Sequence, residues 1–225
     1  MKANDLLSKL IDNYPIILPQ RSYGQNGEDL IIDRLMAGRK SGFYVDVGSH
    51  HPIRFSNTYK FYKRGWRGLN IDAMPGSAKH FQLFRGRDIS IECGVAEVNG
   101  VMTYYMFNEP ALNTFSFEEA GLKNQPPYKI IGTKEVRVER LDFLLQKYLP
   151  KEQDIDFLSL DVEGMDYEVL RSNDWSKYRP ELILAETLHY DIINSSDCPI
   201  VRFLVDIGYE QISKAYNTTF FRSCY

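Results

Sequence analysis

The 225-residue sequence contains few cysteines and no long apolar run. Its three cysteines, Cys93, Cys198 and Cys224, lie far apart and form no CxxC pair, which argues against a disulfide framework or a zinc site. No segment approaches the roughly 20 apolar residues that cross a bilayer, and the first residues lack the apolar core of a signal peptide. We therefore expect a soluble protein of the reducing cytoplasm, with no membrane span.

The sequence also lacks an excess of positive charge and two nucleotide-binding motifs. Its formal net charge is −3, so bulk electrostatics do not favour nucleic acid, and we expect no such partner. No GxGxxG motif occurs, since Gly48 is the sole glycine between Val47 and Tyr59, and no Gly-Lys-Ser/Thr phosphate loop occurs. Sites for NAD, FAD and ATP are therefore poorly supported.

The stretch Phe43 to Val47 has the composition of a buried parallel strand, interrupted by Asp46. Gly48 follows at once, where the chain must turn without a Cβ and let a ligand approach the backbone. A buried carboxylate is costly unless something pairs with it, and ligands in open α/β sheets bind at the carboxyl ends of strands. Asp46, Gly48 and the adjacent Ser49 are therefore candidate binding residues. The alternative is a core aspartate before an ordinary turn.

Three further predicted strands end in a carboxylate or a turn residue. Asp72 lies 26 positions after Asp46, near the spacing of the acidic residue that binds ribose hydroxyls in nucleotide-binding βαβ units. In a doubly wound sheet such strand ends converge on one crevice. The three strands, each with the residues that follow it, are Trp66 to Asp72 with Ala73, Ile89 to Cys93 with Gly94 and Val95, and Ile155 to Leu160 with Asp161 and Glu163.

The rest of the pattern is that of an α/β protein. Leu182 to Glu186 predicts a fifth strand, with His189 beyond its end. Tyr209 to Ser213 and Thr218 to Arg222 predict a closing hairpin. With no internal repeat or linker in view, we expect one domain over residues 1–225.

Two segments stand outside this alternation. Residues 1–40 form a predicted N-terminal helical segment, with helices at Asp5 to Ile11 and Leu30 to Met36. Between them, Gln25 and Glu28 either bind a ligand or, for Glu28, serve as a first-turn helix residue. Residues 100–140 predict an inserted hairpin with a flexible tip. Its polar, proline-containing connection, Asn108 to Lys134, is long enough to be either a mobile lid or a disordered segment.

The inferred crevice is acidic, which suits a ligand that carries a sulfonium and an ammonium group. S-adenosylmethionine fits that description. Asp72 would accept from the two hydroxyls of its ribose, because one carboxylate can accept from neighbouring donors. Asp46 would accept from its ammonium group or from backbone amides of its own turn.

Several stretches together resemble one family, the FkbM-type methyltransferases, and the resemblance runs from about Tyr23 to His189. It implies a class I, Rossmann-like fold: a mostly parallel seven-stranded sheet, helices on both faces and a C-terminal antiparallel hairpin. It also implies O-methylation of sugars and related natural products, with donor contacts at Asp46, Gly48 and Asp72 and near Gly94. Gly24 and Asp72 depart from the usual Ser and Glu. The matching stretches are Tyr23 to Leu30, Phe43 to Gly48, Ser56 to Thr58, Gly65 to Asp72 and Asp161 to Met165.

Transfer to a sugar hydroxyl would benefit from a base or a metal, because the hydroxyl is a poor nucleophile at neutral pH. The candidates are Asp161, Glu163, His189 and Glu186. We favour Asp161 for the crevice and expect Glu163 to cap the following helix. The alternatives are a solvated helix residue for Glu163 and a surface loop for His189. Asp161 is also a possible ligand of a divalent cation, although the sequence does not require one.

Two tempting features have simpler interpretations. Adjacent histidines such as His50 and His51 rarely bind one metal together, and Pro52 indicates a loop. Tyr104, Tyr105 and Phe107 are interpreted as hairpin core rather than as a stacking surface.

The sequence thus predicts an S-adenosylmethionine-dependent O-methyltransferase with a small-molecule or glycan substrate. Two alternatives stay open: a nucleotide-dependent oxidoreductase or nucleotide-sugar enzyme on a similar sheet, and a non-catalytic nucleotide-binding module. The sequence gives no prediction of the oligomeric state.

Overall fold

The computed structural model of the protein describes residues 20–188, 190 and 198–225. Seven of its strands form one sheet in the order β3-β2-β1-β7-β8-β10-β9, in which β10 alone runs antiparallel to its neighbours. The predicted mostly parallel seven-stranded sheet with a C-terminal antiparallel hairpin is confirmed. The described strands are β1 Phe43–Val47, β2 Arg67–Asp72, β3 Ile89–Glu92, β4 Gly94–Val95, β5 Gly100–Phe107, β6 Ile130–Glu139, β7 Phe157–Leu160, β8 Leu182–Glu186, β9 Tyr209–Ala215 and β10 Thr218–Ser223.

The helix predicted at Leu30 to Met36 is present as Glu28–Leu35, with its ends shifted by one or two residues. The predicted helix at residues 5–11 lies outside the described ranges. No helix within those ranges is both long and apolar enough to cross a membrane. The described α-helices are α1 Glu28–Leu35, α2 Tyr59–Arg64, α3 Ser77–Phe84, α4 Phe117–Lys123, α5 Leu141–Tyr148, α6 Asp166–Arg171 and α7 Pro199–Asp206.

Helices cover both faces of the large sheet. Along β1, Phe43, Val45 and Val47 belong to a core cluster that also holds leucines of α5 and α6, whereas Tyr44 points to the opposite cluster with α1 and α2. Side chains alternate between the two faces of a strand, and a strand buried on both faces is apolar almost throughout. This explains the near-continuous hydrophobic runs of β1, β7 and β8.

A second, smaller sheet has the order β4-β6-β5 and contains the predicted hairpin. Strands β5 and β6 pair antiparallel from Gly100 opposite Val138 to Phe107 opposite Ile130. The alternative that this connection is a disordered segment is wrong, because it holds a 3₁₀ turn at Pro110–Leu112 and the helix α4. The Ser116 hydroxyl caps α4 by accepting from the Glu119 amide at 3.2 Å, and such a cap stabilises a short helix. We call residues 100–139 the insert.

Candidate active site

A cavity of about 280 Å³ opens at the carboxyl ends of β1, β2, β7 and β8, and the insert forms part of its wall. The structure brings every predicted site residue within the described ranges into this one pocket. His189 lies outside the described residues. The predicted residues that line the pocket are Gln25, Glu28, Asp46, Gly48, Ser49, Asp72, Ala73, Gly94, Val95, Asp161, Glu163 and Glu186.

Gly48 is required by a close backbone approach inside the protein. Its φ is +79°, and a Cβ at this position would lie 1.7 Å from the carbonyl oxygen of Asp161. Its amide donates to the Ile71 carbonyl at 2.9 Å, so the ends of β1, β2 and β7 meet at this residue. Gly48 therefore turns the chain, as expected, and admits the Asp161 backbone. It also lines the pocket, and the approach of a ligand to it stays a prediction.

Asp72 is a buried carboxylate held by its own turn and by the turn after β1. Its two oxygens accept from the amides of Met74 and His50, each at 2.7 Å. Burial raises its pKa to about 6, against the lowering effect of both amides. Each carboxylate oxygen can accept a second hydrogen bond, so the residue can still bind two neighbouring hydroxyls.

Asp46 is also buried, and its partner is a side chain. The Thr58 hydroxyl donates to it at 2.6 Å. Burial raises the pKa of Asp46, and the hydrogen bond from Thr58 and the charge of Arg85 offset part of that rise. No amide of its own turn, among the described residues, donates to this carboxylate, so that predicted alternative is wrong.

The other end of the pocket gathers carboxylates of like charge. Asp161, Glu163 and Glu186 line it together. Burial, followed by the charges of Glu186 and Glu163, raises the pKa of Asp161 well above its usual range. Burial and the nearby Asp166 raise the pKa of Glu186 to about 8. Asp161 is surrounded by protein, yet its side chain keeps an accessible surface that faces the pocket, and no described residue donates a hydrogen bond to its carboxylate.

Lys123 of α4 brings a positive charge into this acidic end. Its amine contacts both Glu163 and Glu119, the latter at 3.3 Å. Burial alone would lower the pKa of Lys123, but these carboxylates raise it. Among the described lining residues it is the sole lysine or arginine.

Glu163 does not cap the following helix, so that expectation is wrong. Its backbone is left-handed, with φ +55°, and Gly164 follows at φ +99°. The chain therefore turns away from α6 before the helix begins. The Glu163 carbonyl accepts from the Thr114 hydroxyl at 2.8 Å, and its side chain pairs with Lys123, so both contacts come from the insert.

Gln25 and Glu28 both lie at the pocket, and a ligand-binding role for them stays a prediction. Both line the pocket, yet Glu28 is a buried first-turn residue that accepts from the Asn26 amide at 2.8 Å. Helix α1 begins at Glu28 because Gly27, with φ +84°, lets the chain turn just before it.

The two adjacent histidines have different surroundings. His51 stabilises its own turn, since its Nδ1 accepts from the amides of Ile53 and Arg54 at 3.0 and 2.9 Å. His50 lines the pocket, and burial lowers its pKa to about 4. Within the described ranges, no three His, Cys, Asp or Glu side chains are arranged to hold a metal ion.

The sequence model of the Methyltransferase FkbM domain matches residues 46–210, most of the chain. The protein belongs to the FkbM methyltransferase family. It is a methyltransferase, and its methyl donor is S-adenosylmethionine. This membership decides against the oxidoreductase alternative. A search of curated proteins finds no match.

Solved structures with remote similarity include other methyltransferases. A TehB-like S-adenosylmethionine-dependent methyltransferase from Corynebacterium glutamicum is 9% identical, with 97% of each chain covered and a TM-score of 0.42. A putative O-methyltransferase from Klebsiella pneumoniae is 12% identical, with 99% of this chain and 91% of that chain covered and a TM-score of 0.42. These TM-scores are too low to transfer any property to this FkbM protein.

Some pocket residues of this FkbM protein gave little signal in the sequence. Lys123 follows Glu119 at a spacing typical of a solvated ion pair on a helix, so its position in the pocket was not predictable. Tyr104 was interpreted as hairpin core, and it is indeed 6% exposed, but it also lines the pocket. Thr58 does not line the pocket but donates to Asp46, and it lies in a stretch that matched the family and received no role.

Proposed function

We propose that this FkbM protein transfers the methyl group of S-adenosylmethionine to a hydroxyl of a sugar, a glycan precursor or a related natural product. The supporting observation is the Asp161 carboxylate, which faces the pocket without a described hydrogen-bond partner and stands one strand away from the donor residues of β1. A carboxylate in that state is available to an incoming hydroxyl.

The donor end of the pocket has residues that fit S-adenosylmethionine. Asp72 would bind the ribose hydroxyls, and Asp46 would bind the ammonium group. Ser49, Ala73, Gly94 and Val95 would complete the walls. When bound, this donor supplies a methyl group activated by the adjacent sulfonium.

The acceptor end supplies a base. Asp161 would take the proton of the acceptor hydroxyl as the new oxygen–carbon bond forms, a role that commonly contributes about 10²–10⁴-fold to a rate. The neighbouring carboxylates raise its pKa and so strengthen it as a base once it is ionised. His189 stays a second candidate for this role.

The side chains around Asp161 would orient the acceptor. With a pKa of about 8, Glu186 carries a proton at neutral pH and can donate a hydrogen bond to a sugar oxygen. Glu163 is fixed by Lys123, so it can accept from a second hydroxyl. Alignment of the acceptor is the main task of the protein, because the donor carbon is already activated.

The nature of the acceptor and the setting of the reaction are also part of this proposal. A neutral polyhydroxyl compound suits a polar pocket end where carboxylates outnumber the single lysine. A small acceptor in the cytoplasm agrees with the net charge of −3 and with three free cysteines. Residues 1–225 would act as one methyltransferase domain, with the insert as a lid over the acceptor.

Methyl-labelled S-adenosylmethionine, offered with a fractionated carbohydrate extract, tests this function. We expect label in a sugar fraction, in a form that survives strong alkali, because an ether resists alkali and a methyl ester does not. Label confined to alkali-sensitive products, or to protein or amine fractions, would reject O-methylation of a sugar hydroxyl. Omission of the protein is the control.

A further inference from the structure

Arg85 and Asp88 form an ion pair that is closed off from solvent. Both side chains have no exposed surface, and the Arg85 Nε lies 2.9 Å from the Asp88 Oδ2. The pair lies just after α3, beneath the face of the sheet that carries Tyr44. A buried ion pair of this kind is weak evidence for stability, because desolvation offsets much of the attraction. Its surroundings indicate another role.

Residues from three separate stretches of the sequence converge on this pair. Asp88 accepts from the Tyr44 hydroxyl at 2.7 Å and the Asn70 amide group at 3.1 Å. Arg85 donates to the Tyr44 hydroxyl at 2.6 Å and to the Thr58 hydroxyl at 3.0 Å. Tyr44, Thr58 and Asn70 lie in stretches that matched the family but that the donor contacts leave unexplained.

The network reaches the pocket through Thr58. An arginine can only donate, so the Thr58 oxygen accepts from Arg85 and its single hydrogen is left for another partner. That partner is the Asp46 carboxylate, 2.6 Å away. Asp46 lines the proposed donor end of the pocket, two residues before Gly48. The bond directions therefore run one way, from Arg85 through Thr58 to Asp46.

We propose that the Arg85–Asp88 pair, acting through Thr58, positions the Asp46 carboxylate to bind the ammonium group of S-adenosylmethionine. This inference rests on the donor placement in the proposed function. Arg85, Asp88 and Thr58 are positioning residues, since they do not line the part of the pocket that the donor would contact. Asp88 orients the guanidinium, and Tyr44 and Asn70 orient Asp88.

The test compares two ligands that differ in the ammonium-bearing portion. S-adenosylhomocysteine carries the amino-acid portion, and 5′-methylthioadenosine lacks it. Calorimetry on Thr58→Val, which keeps the shape and removes the hydroxyl, should give roughly tenfold weaker binding of S-adenosylhomocysteine, the usual effect of losing a hydrogen bond to a charged group. The affinity for 5′-methylthioadenosine should change by less than about twofold, because this ligand has no ammonium group and so loses no hydrogen bond. Thr58→Ser, which keeps the hydroxyl, should behave like the wild-type protein.

A double-mutant cycle needs only S-adenosylhomocysteine. Asp46→Asn should weaken the binding of S-adenosylhomocysteine. Adding Thr58→Val to that variant should cause no further loss of affinity, because Thr58 then has no carboxylate to position. Three results would each overturn the proposed positioning of Asp46 by Arg85 through Thr58. They are equal losses of affinity for both ligands in Thr58→Val, unchanged binding in Thr58→Val, and additive losses in the double-mutant cycle. If the wild-type protein bound neither ligand, the donor assignment itself would fail as well.

Discussion

The carboxylates at the two ends of the pocket have different surroundings. At the donor end, Asp46 and Asp72 each accept hydrogen bonds of 2.6–2.7 Å from donors that come from adjoining turns. At the acceptor end, Asp161, Glu163 and Glu186 line the pocket together, and burial, followed by the charges of nearby carboxylates, raises the pKa of each. Carboxylates held by hydrogen bonds are suited to binding, whereas carboxylates crowded by like charges are suited to proton transfer.

The two ends also differ in how they are assembled. The donor end is built from the ends of β1 and β2, which are neighbours in the sheet. The acceptor end needs the insert, since Lys123 and Thr114 hold Glu163 from across the pocket. Gly48 joins the two ends through its contact with the Asp161 backbone.

The largest effect is expected from Gly48→Ala, which should lower the free energy of unfolding by about 3–5 kcal/mol through backbone strain and a forced displacement of Asp161. Denaturant unfolding measures it. Gly76→Ala is the matched control: Gly76 has φ +88° but open space around it, so strain alone should cost about 1–2 kcal/mol. Equal losses in the two variants would show that the contact with Asp161 is unimportant.

Asp161→Asn should reduce turnover by about 10²-fold or more, because it removes the base and keeps the shape. Affinity for S-adenosylhomocysteine, measured by calorimetry, should stay within about twofold of the wild-type value, because the ligand loses no hydrogen bond to the protein. Asp154→Asn, at the other end of the same strand segment and exposed, is the control and should leave both quantities unchanged. Near-normal turnover in Asp161→Asn would move the search to Glu163 and His189.

Asp72→Asn should weaken the binding of S-adenosylhomocysteine roughly tenfold, since the donor would lose hydrogen bonds to a charged group. Calorimetry at neutral pH is the measurement. Glu92→Gln is the matched control, because Glu92 ends the neighbouring strand β3, accepts from the Gly76 amide at 2.7 Å and does not line the pocket. A loss of the same size in both variants would argue against a ribose contact at Asp72.

Glu186→Gln should change how stability depends on pH. The folded-state pKa of Glu186 is about 8, above the ordinary value of 4.5, so the folded protein holds this proton more tightly than the unfolded chain. Its contribution is complete below pH 4.5 and is lost as the pH rises to about 8.

Relative to Glu186→Gln, the wild-type protein should lose roughly 1 kcal/mol of unfolding free energy per pH unit across that window. Denaturant unfolding at several pH values gives the slope. Glu118→Gln, at an exposed position on α4, should leave the slope as in the wild-type protein. Parallel curves for the wild-type protein and Glu186→Gln would mean that Glu186 titrates normally.

The contrast between the two ends explains what the sequence could and could not predict. The strands of the large sheet and the carboxylates at their ends were predictable, because a buried strand that ends in a carboxylate and a turn is a local pattern. Asp72 is held by its own turn and by the turn after β1. The partner of Asp46 is Thr58, 12 residues further along the chain, and this contact was not predicted.

The acceptor end depends on contacts between segments far apart in the chain. Lys123 and Glu163 are 40 residues apart, and no local pattern predicts their pairing. The helix α4 was missed because proline and polar residues dominate its surroundings, although the Ser116 cap was a readable signal. The predicted role of Glu163 as a helix cap was wrong for a related reason. Its backbone is left-handed, and the next residue, Gly164, packs against Glu119 of the insert, a contact that no local pattern predicts.

The central claim is that one pocket has a donor end at Asp72 and an acceptor end at Asp161. It is tested most directly by measuring methyl transfer in Asp72→Asn and Asp161→Asn as the S-adenosylmethionine concentration is raised to saturation. Saturation should restore Asp72→Asn to near the wild-type rate and leave Asp161→Asn about 10²-fold slow, because a weak donor site can be filled and a missing base cannot. Recovery of Asp161→Asn at high donor concentration, or no recovery of Asp72→Asn, would contradict this division of the pocket.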